Sequence, residues 1–158
     1  FRDGDMFIPE VMLSARTMSA GMELLEPLLV GEQLETSGKV VIGTVEGDIH
    51  NIGKDLVAMM LRSAGFAVTD LGVQVSAERF VQAVVDFQPH VLAMSALLTT
   101  TMPRMKEVIQ LLERRGLRER VQVIVGGAPV THEFAEEIGA NGYSPDAGSA
   151  MDMVKELA

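Results

Sequence analysis

The chain has 158 residues, enough for one α/β domain with a sizeable core and one small appendage. A formal charge of -9, from 22 acidic against 13 basic residues, disfavours a nucleic-acid partner, and the absence of Trp beside a single Tyr leaves no stacking platform for bases. With no cysteine, disulfides, thiolate metal sites and iron–sulfur clusters are excluded, so any metal must come through His, a carboxylate or a cofactor.

Residues 9–29 read as a helix. Pro9 suits a first helical position, Val11, Met12, Ala15, Met18, Met22 and Leu25 recur at helical spacing, and Pro27 should stop or kink it. Residues 31–38 are polar and read as a linker. One amphipathic helix cannot form its own core, so it must dock on something else. Residues 1–37 are therefore expected to be a partial helical cap and linker, and 38–158 the main domain. No basic-then-apolar signal segment and no apolar run of about 18 residues is found, so a cytoplasmic protein without a membrane span is expected. The chain opens on Phe1 rather than Met, so further residues are expected before it.

From residue 38 onward strands and helices alternate. Strands are predicted at 39–44, 66–70, 91–95, 121–125 and 142–143. Helices are predicted at 52–64, ended by Gly65; at 77–87, capped by Ser76; at about 102–115 and 131–138; and near 148–157. Five strand–helix repeats with short connections imply a doubly wound, five-stranded parallel sheet of flavodoxin-like type. Ligands of such sheets bind beyond the carboxyl ends of the strands.

Three loops at that edge carry chemistry. The first, Gly47-Asp48-Ile49-His50-Asn51-Ile52-Gly53, contains Asp-x-His-x-x-Gly. A lone His in a loop is ordinarily a surface residue, but an Asp two residues earlier can accept its Nδ1 proton and leave Nε2 for a metal. The second loop holds four hydroxyls, Ser95, Thr99, Thr100 and Thr101, of which helix capping needs only one. The third is Gly126-Gly127, either a tight turn or a clearing for a ligand. His90 reads as structural and His132 as a surface residue. Arg114, Arg115, Arg118 and Arg120 read as a solvated helix end.

Asp48-x-His50-x-x-Gly53, then Ser95-x-Leu97, then Gly126-Gly127 resembles, in order and spacing, the cobalamin-binding signature of the corrinoid methyl-carrier family and of the cobalamin-binding module of methionine synthase. Phe7-Ile8-Pro9-Glu10-Val11 is similar to the end of the helical cap that precedes this fold. The resemblance implies that the cobalamin's own benzimidazole leaves the cobalt, that the nucleotide tail threads into the sheet domain, and that His50 becomes the lower axial ligand. It implies that Gly47 to Gly53 form the cofactor loop, with Asp48 behind His50 and Thr101 completing a proton relay. Ser95, Leu97 and Thr99 would line the tail pocket, and Gly126 and Gly127 would let the tail pass. Ala147 would touch the corrin edge, and Phe1 and Ile8 would cover the upper face. Asn51 departs from the family pattern, where Asp is common.

The implied function is a corrinoid protein, loaded as methylcobalamin, that shuttles a methyl group and is not a stand-alone enzyme. Its implied partners are a methyl-donor-specific methyltransferase, a methyl-acceptor methyltransferase and a reductive activase. A cobalamin-dependent sensor is the alternative, although it would want a DNA-binding domain. An adenosylcobalamin mutase subunit is disfavoured by the cap helix.

Overall fold

Continuous apolar runs, buried on both faces, form the central strands β1 (Lys39–Thr44), β3 (Val91–Ser95) and β4 (Gln122–Gly126), and the shorter, less buried β2 (Ala67–Asp70) and β5 (Gly142–Ser144) flank them. They alternate with α1 (Ile52–Ser63), α2 (Ala77–Phe87), α3 (Pro103–Arg114), α4 (His132–Glu137) and α5 (Ala147–Leu157). The structure is a computed structural model and describes Phe7, Pro9, Glu10, Leu13, Ser14, Thr17, Ala20, Gly21 and residues 36–158. Pro9, Glu10, Leu13, Ser14, Thr17, Ala20 and Gly21 are helical, in the window predicted for the first helix. Phe1, Ile8 and the methionines Met12, Met18 and Met22 lie outside the described residues.

All four strand pairings are parallel, and the order is β2-β1-β3-β4-β5. The chain leaves β1 for the edge, then returns to the other side of β1 as β3. The connections after β1 and β3 thus part at their carboxyl ends, and a crevice opens between them. Element ends follow local chemistry. Ser76 caps α2 by accepting from the N–H of Arg79, as expected. Helix α1 stops before Gly65, whose φ of +87° an L side chain rarely adopts.

The two faces of the sheet are packed unequally. Val41, Leu92, Met94, Val123 and Val125 meet α2 and α3 through Phe80, Val84, Met105, Ile109 and Leu112, in a cluster of 20 buried residues. On the other face Val40, Ile42, Ala93 and Ile124 meet α1 and α5 through Ala58, Leu61 and Val154, in a cluster of nine among the described residues. The thinner layer is where a cavity remains.

The other histidines and the arginines sit away from it. His90 is structural: the backbone N–H of Lys39 donates to its Nδ1 at 3.0 Å. His132 is exposed beside Glu136. Arg118 departs from the expected solvated helix end. Its guanidinium donates to the carbonyls of Val121 and Gly139 and to Asn141 Oδ1, and so ties the loops around β4 together.

Candidate functional site

Asp48 organises the edge. It is wholly buried, just past the carboxyl end of β1. Its Oδ1 accepts the backbone N–H of His50 at 3.0 Å and lies 2.6 Å from His50 Nδ1. Its Oδ2 accepts the N–H of Leu97 at 2.7 Å and of Leu98 at 3.3 Å, and stands 2.9 Å from Thr101 Oγ1. One carboxylate thereby pins the loop after β3 to the loop after β1. Burial alone would raise its pKa. The hydrogen bonds from the Leu97 and His50 backbones, then from the His50 and Thr101 side chains, outweigh burial and hold the group far below the usual carboxylate range.

An ionised carboxylate only accepts, so Nδ1 of His50 carries a proton, and in the neutral imidazole Nε2 is then the nitrogen with the lone pair. Thr44 Oγ1 donates to the His50 carbonyl at 2.9 Å, so the backbone of this residue is held as firmly as its ring. The ring itself is 47% exposed. The apolar side chains of Ile49 and Ile52, on either side of it in the chain, and of Leu97 and Leu98, in the loop after β3, are exposed.

None of the hydroxyls after β3 caps α3: its N-cap is Met102, which makes no side-chain cap bond, and Pro103 follows. Thr101 Oγ1 is instead 2.9 Å from both Asp48 Oδ2 and the Leu98 carbonyl, and its single proton serves one at a time.

Beneath the edge lies a cavity of about 490 Å³. His50, Asn51 and Gly53 line its mouth, and Ile42, Val57, Ala93, Ile124 and Ala150 line its interior between the sheet, α1 and α5. Of the predicted residues, Ile49, Ile52, Ser95, Leu97, Gly126, Gly127 and Ala147 also line it. Gly47, Asp48 and Thr101 stand behind the loops rather than on the cavity wall, and Thr99 is exposed outside it. The glycine pair meets backbone on both sides. A Cβ on Gly126 would fall 2.9 Å from the Ser144 carbonyl oxygen, and one on Gly127 would fall 1.9 Å from that of Ala96.

Lys54 was not foreseen. It is buried on the cavity wall, with Nζ between Asp55 Oδ1 and Asp70 Oδ2. Asp55 Oδ2 in turn accepts from Asn51 Nδ2 at 2.8 Å, and Asp70 Oδ1 accepts the N–H of Gly72 at 2.8 Å. This chain of bonds leads from the residue after His50 to the end of β2. It also explains Asn51, whose amide can donate to Asp55 where a second carboxylate would be repelled.

The donor set says what kind of metal fits. Among the described residues no group of three or more His, Asp or Glu could hold an ion. A single imidazole with an open Nε2, set in an apolar edge above a long cavity, suits a metal that brings its other ligands in a flat macrocycle with an appended tail.

Family comparison agrees with that geometry. Residues 38–152 match the model of a B12 binding domain, and residues 1–26 match a second B12 binding domain model. Dimethylamine corrinoid protein 1 of Methanosarcina acetivorans is 45% identical over 158 residues, covering 99% of this chain and 74% of that protein. Trimethylamine corrinoid protein 2 of Methanosarcina mazei is 45% identical over 157 residues, covering 98% of this chain and 72% of its own. The methanol:cobalamin methyltransferase complex of Methanosarcina barkeri contains a chain of TM-score 0.90 and 36% identity, covering 99% of this chain and 59% of that one. No helix among the described residues is long and apolar enough to cross a membrane.

Proposed function

We infer the function from one premise: the chain belongs to the B12-binding domain family, among the corrinoid proteins of methyltransferase systems. It carries a methyl group on a corrinoid between methyltransferases, and the sensor alternative draws no support from these relatives. The observation that carries the residue assignment is the His50 imidazole, its Nδ1 proton held by a buried carboxylate and its Nε2 open at the mouth of the cavity.

In our reading His50 Nε2 would hold the cobalt, and the cavity would take the nucleotide tail. The cobalt supplies the methyl-accepting and methyl-donating chemistry when bound. The chain's own residues do the rest. Asp48 fixes the tautomer and orientation of His50 and raises its basicity. Thr101, by giving its one proton to Asp48 or to the Leu98 carbonyl, adjusts how strongly Asp48 holds Nδ1–H. Ile49, Ile52, Leu97 and Leu98 present an apolar seat for a corrin ring. Ser95, Gly126, Gly127 and Ala147 border the entry of the tail.

Relatives named for dimethylamine, trimethylamine and methanol share this fold. The donor is therefore selected by the partner methyltransferase and not by the cavity. A donor-specific methyltransferase, an acceptor methyltransferase and a reductive activase are the partners this requires. His50→Ala should leave the apo protein folded and the cavity open, so a corrinoid still binds, about tenfold or more weaker, without the absorption spectrum of an imidazole-ligated methyl corrinoid. An unchanged spectrum of the bound methyl form would exclude His50 as ligand.

A further inference from the structure

The loop after β2 does not line the cavity, yet it is bonded to the residues that hold His50. The Gly72 carbonyl accepts the N–H of Thr44 at 2.9 Å, and the Val75 N–H donates to the Thr44 carbonyl at 2.9 Å. The Gln74 N–H donates to the Asp48 carbonyl at 3.0 Å. Gln74 makes this bond from φ +53°, in the left-handed region that a residue with a side chain rarely adopts. Thr44 holds the carbonyl of His50 and Asp48 holds its ring. The loop after β2 thus braces both supports of His50.

Lys54 ties the far end of the His50 segment to the same loop. It lies in the first turn of α1 and is buried. A cation there opposes the positive end of the helix dipole, and burying an ammonium group adds a further cost. Charge-assisted bonds to Asp55 and Asp70 offset both. Asn51, the N-cap of α1, makes no side-chain cap bond and donates to Asp55 instead. The first turn is therefore fastened to β2 through Lys54 and Asp70. Asp70 in turn accepts the N–H of Gly72 at 2.8 Å. The bonds close a ring: from His50 through Asn51, Asp55 and Lys54 to Asp70, through Gly72 to Thr44, and from Thr44 back to the His50 carbonyl.

We propose that Lys54 is a positioning residue for His50: its ammonium clasps the first turn of α1 to the loop after β2 and so keeps residues 47–53 in the one conformation that presents the imidazole to a metal. The inference rests on the reading that His50 Nε2 would hold the cobalt. Asp48 sets the direction and tautomer of the ring, and Lys54 sets where the backbone that carries it lies. A metal ligand tolerates displacements of only about 0.5 Å. Loosening the segment therefore weakens ligation without emptying the cavity. Lys54 also lines the cavity wall, so a direct effect on the ligand is the competing account that the test must separate.

The test is a mutant cycle on the full chain: Lys54→Met and His50→Ala, singly and together, each titrated with methylcobalamin and followed by absorption. Methionine keeps the length of the buried stem and drops the charge. Lys54→Met should bind methylcobalamin about fivefold more weakly than wild type, and its bound form should show part of the spectrum of an unligated methyl corrinoid. In the His50→Ala background the same substitution should change the affinity by less than about twofold, since no imidazole remains to be placed. Equal weakening in both backgrounds means that Lys54 acts on the ligand or the cavity directly, and no weakening in either means that it does not act on binding; both overturn the proposal while leaving the ligand reading intact. Asp70→Asn, whose amide oxygen can still accept from Gly72, repeats the cycle with the lysine in place and carries the test if Lys54→Met does not fold. A wild type whose bound spectrum matches that of His50→Ala overturns the ligand reading, and this proposal with it.

Discussion

Asp48→Ala should destabilise the apo protein by about 3 kcal/mol, measured by urea unfolding, and should abolish ordered imidazole ligation in the loaded form. The magnitude follows from what the carboxylate does. It accepts the backbone N–H groups of His50, Leu97 and Leu98, two of them at 3.0 Å or less, from a fully buried position. Each donor left without a partner in a buried setting costs about 1–3 kcal/mol, and water reaching the new space recovers part of it. The loss reaches the loaded form because the same group holds His50 Nδ1–H. Without it the tautomer is no longer set, and the two loops at the edge are no longer joined.

The pH dependence has a definite sign. Asp48 is held far below its ordinary value in the folded chain, so the folded state binds its proton less readily than the unfolded state does. The stabilisation is therefore complete above the unfolded pKa of about 3.9 and is lost as pH falls through the folded value. Apo wild-type protein should lose stability progressively below about pH 4. Asp48→Asn should be less stable at pH 7 and flatter across the acid range. An acid limb of unchanged steepness in Asp48→Asn would show that other carboxylates dominate it.

Much of this arrangement was legible beforehand. The alternation of apolar runs and capped helices located each strand and helix of the main domain to within one or two residues, because short parallel strands and amphipathic helices have local signatures. The order β2-β1-β3-β4-β5 was not spelled out by those signatures, since which strand lies at an edge is decided by packing on both faces. Within the site, Asp48 and His50 stood out because their partnership is local, two residues apart. The loop after β3 was harder. Its four hydroxyls exceeded what helix capping needs, whereas the contribution of Leu97 seen in the structure is its backbone N–H to Asp48, and a backbone donor has no letter in a sequence. Lys54 was not singled out, since its burial depends on Asp70, a residue sixteen positions away at the end of β2.

Gly127→Ala should cost the apo protein about 3–5 kcal/mol and remove corrinoid uptake, whereas Gly53→Ala should stabilise the apo protein. The two glycines both belong to the family signature, but they do different work. Gly127 sits at φ +130°, and an added Cβ would fall 1.9 Å from the Ala96 carbonyl oxygen and 2.9 Å from its carbon, backbone atoms that cannot swing aside. The substitution must spread the ends of β3 and β4, stretching the bond from the Ala96 N–H to the Gly126 carbonyl, now 3.2 Å. Overpacking and an unfavourable φ add, at about 1–3 kcal/mol each, and the displaced strands form the wall of the cavity. At Gly53, in the first turn of α1, nothing lies within 4 Å of an added Cβ. Alanine there should stabilise the apo helix by up to about 1 kcal/mol. If corrinoid uptake nevertheless falls in Gly53→Ala, the demand for glycine at the mouth of the cavity comes from the ligand and not from the fold. Uptake as strong as wild type would place the ligand away from this turn and would leave only Gly127, and the edge it holds together, as the glycine the site requires.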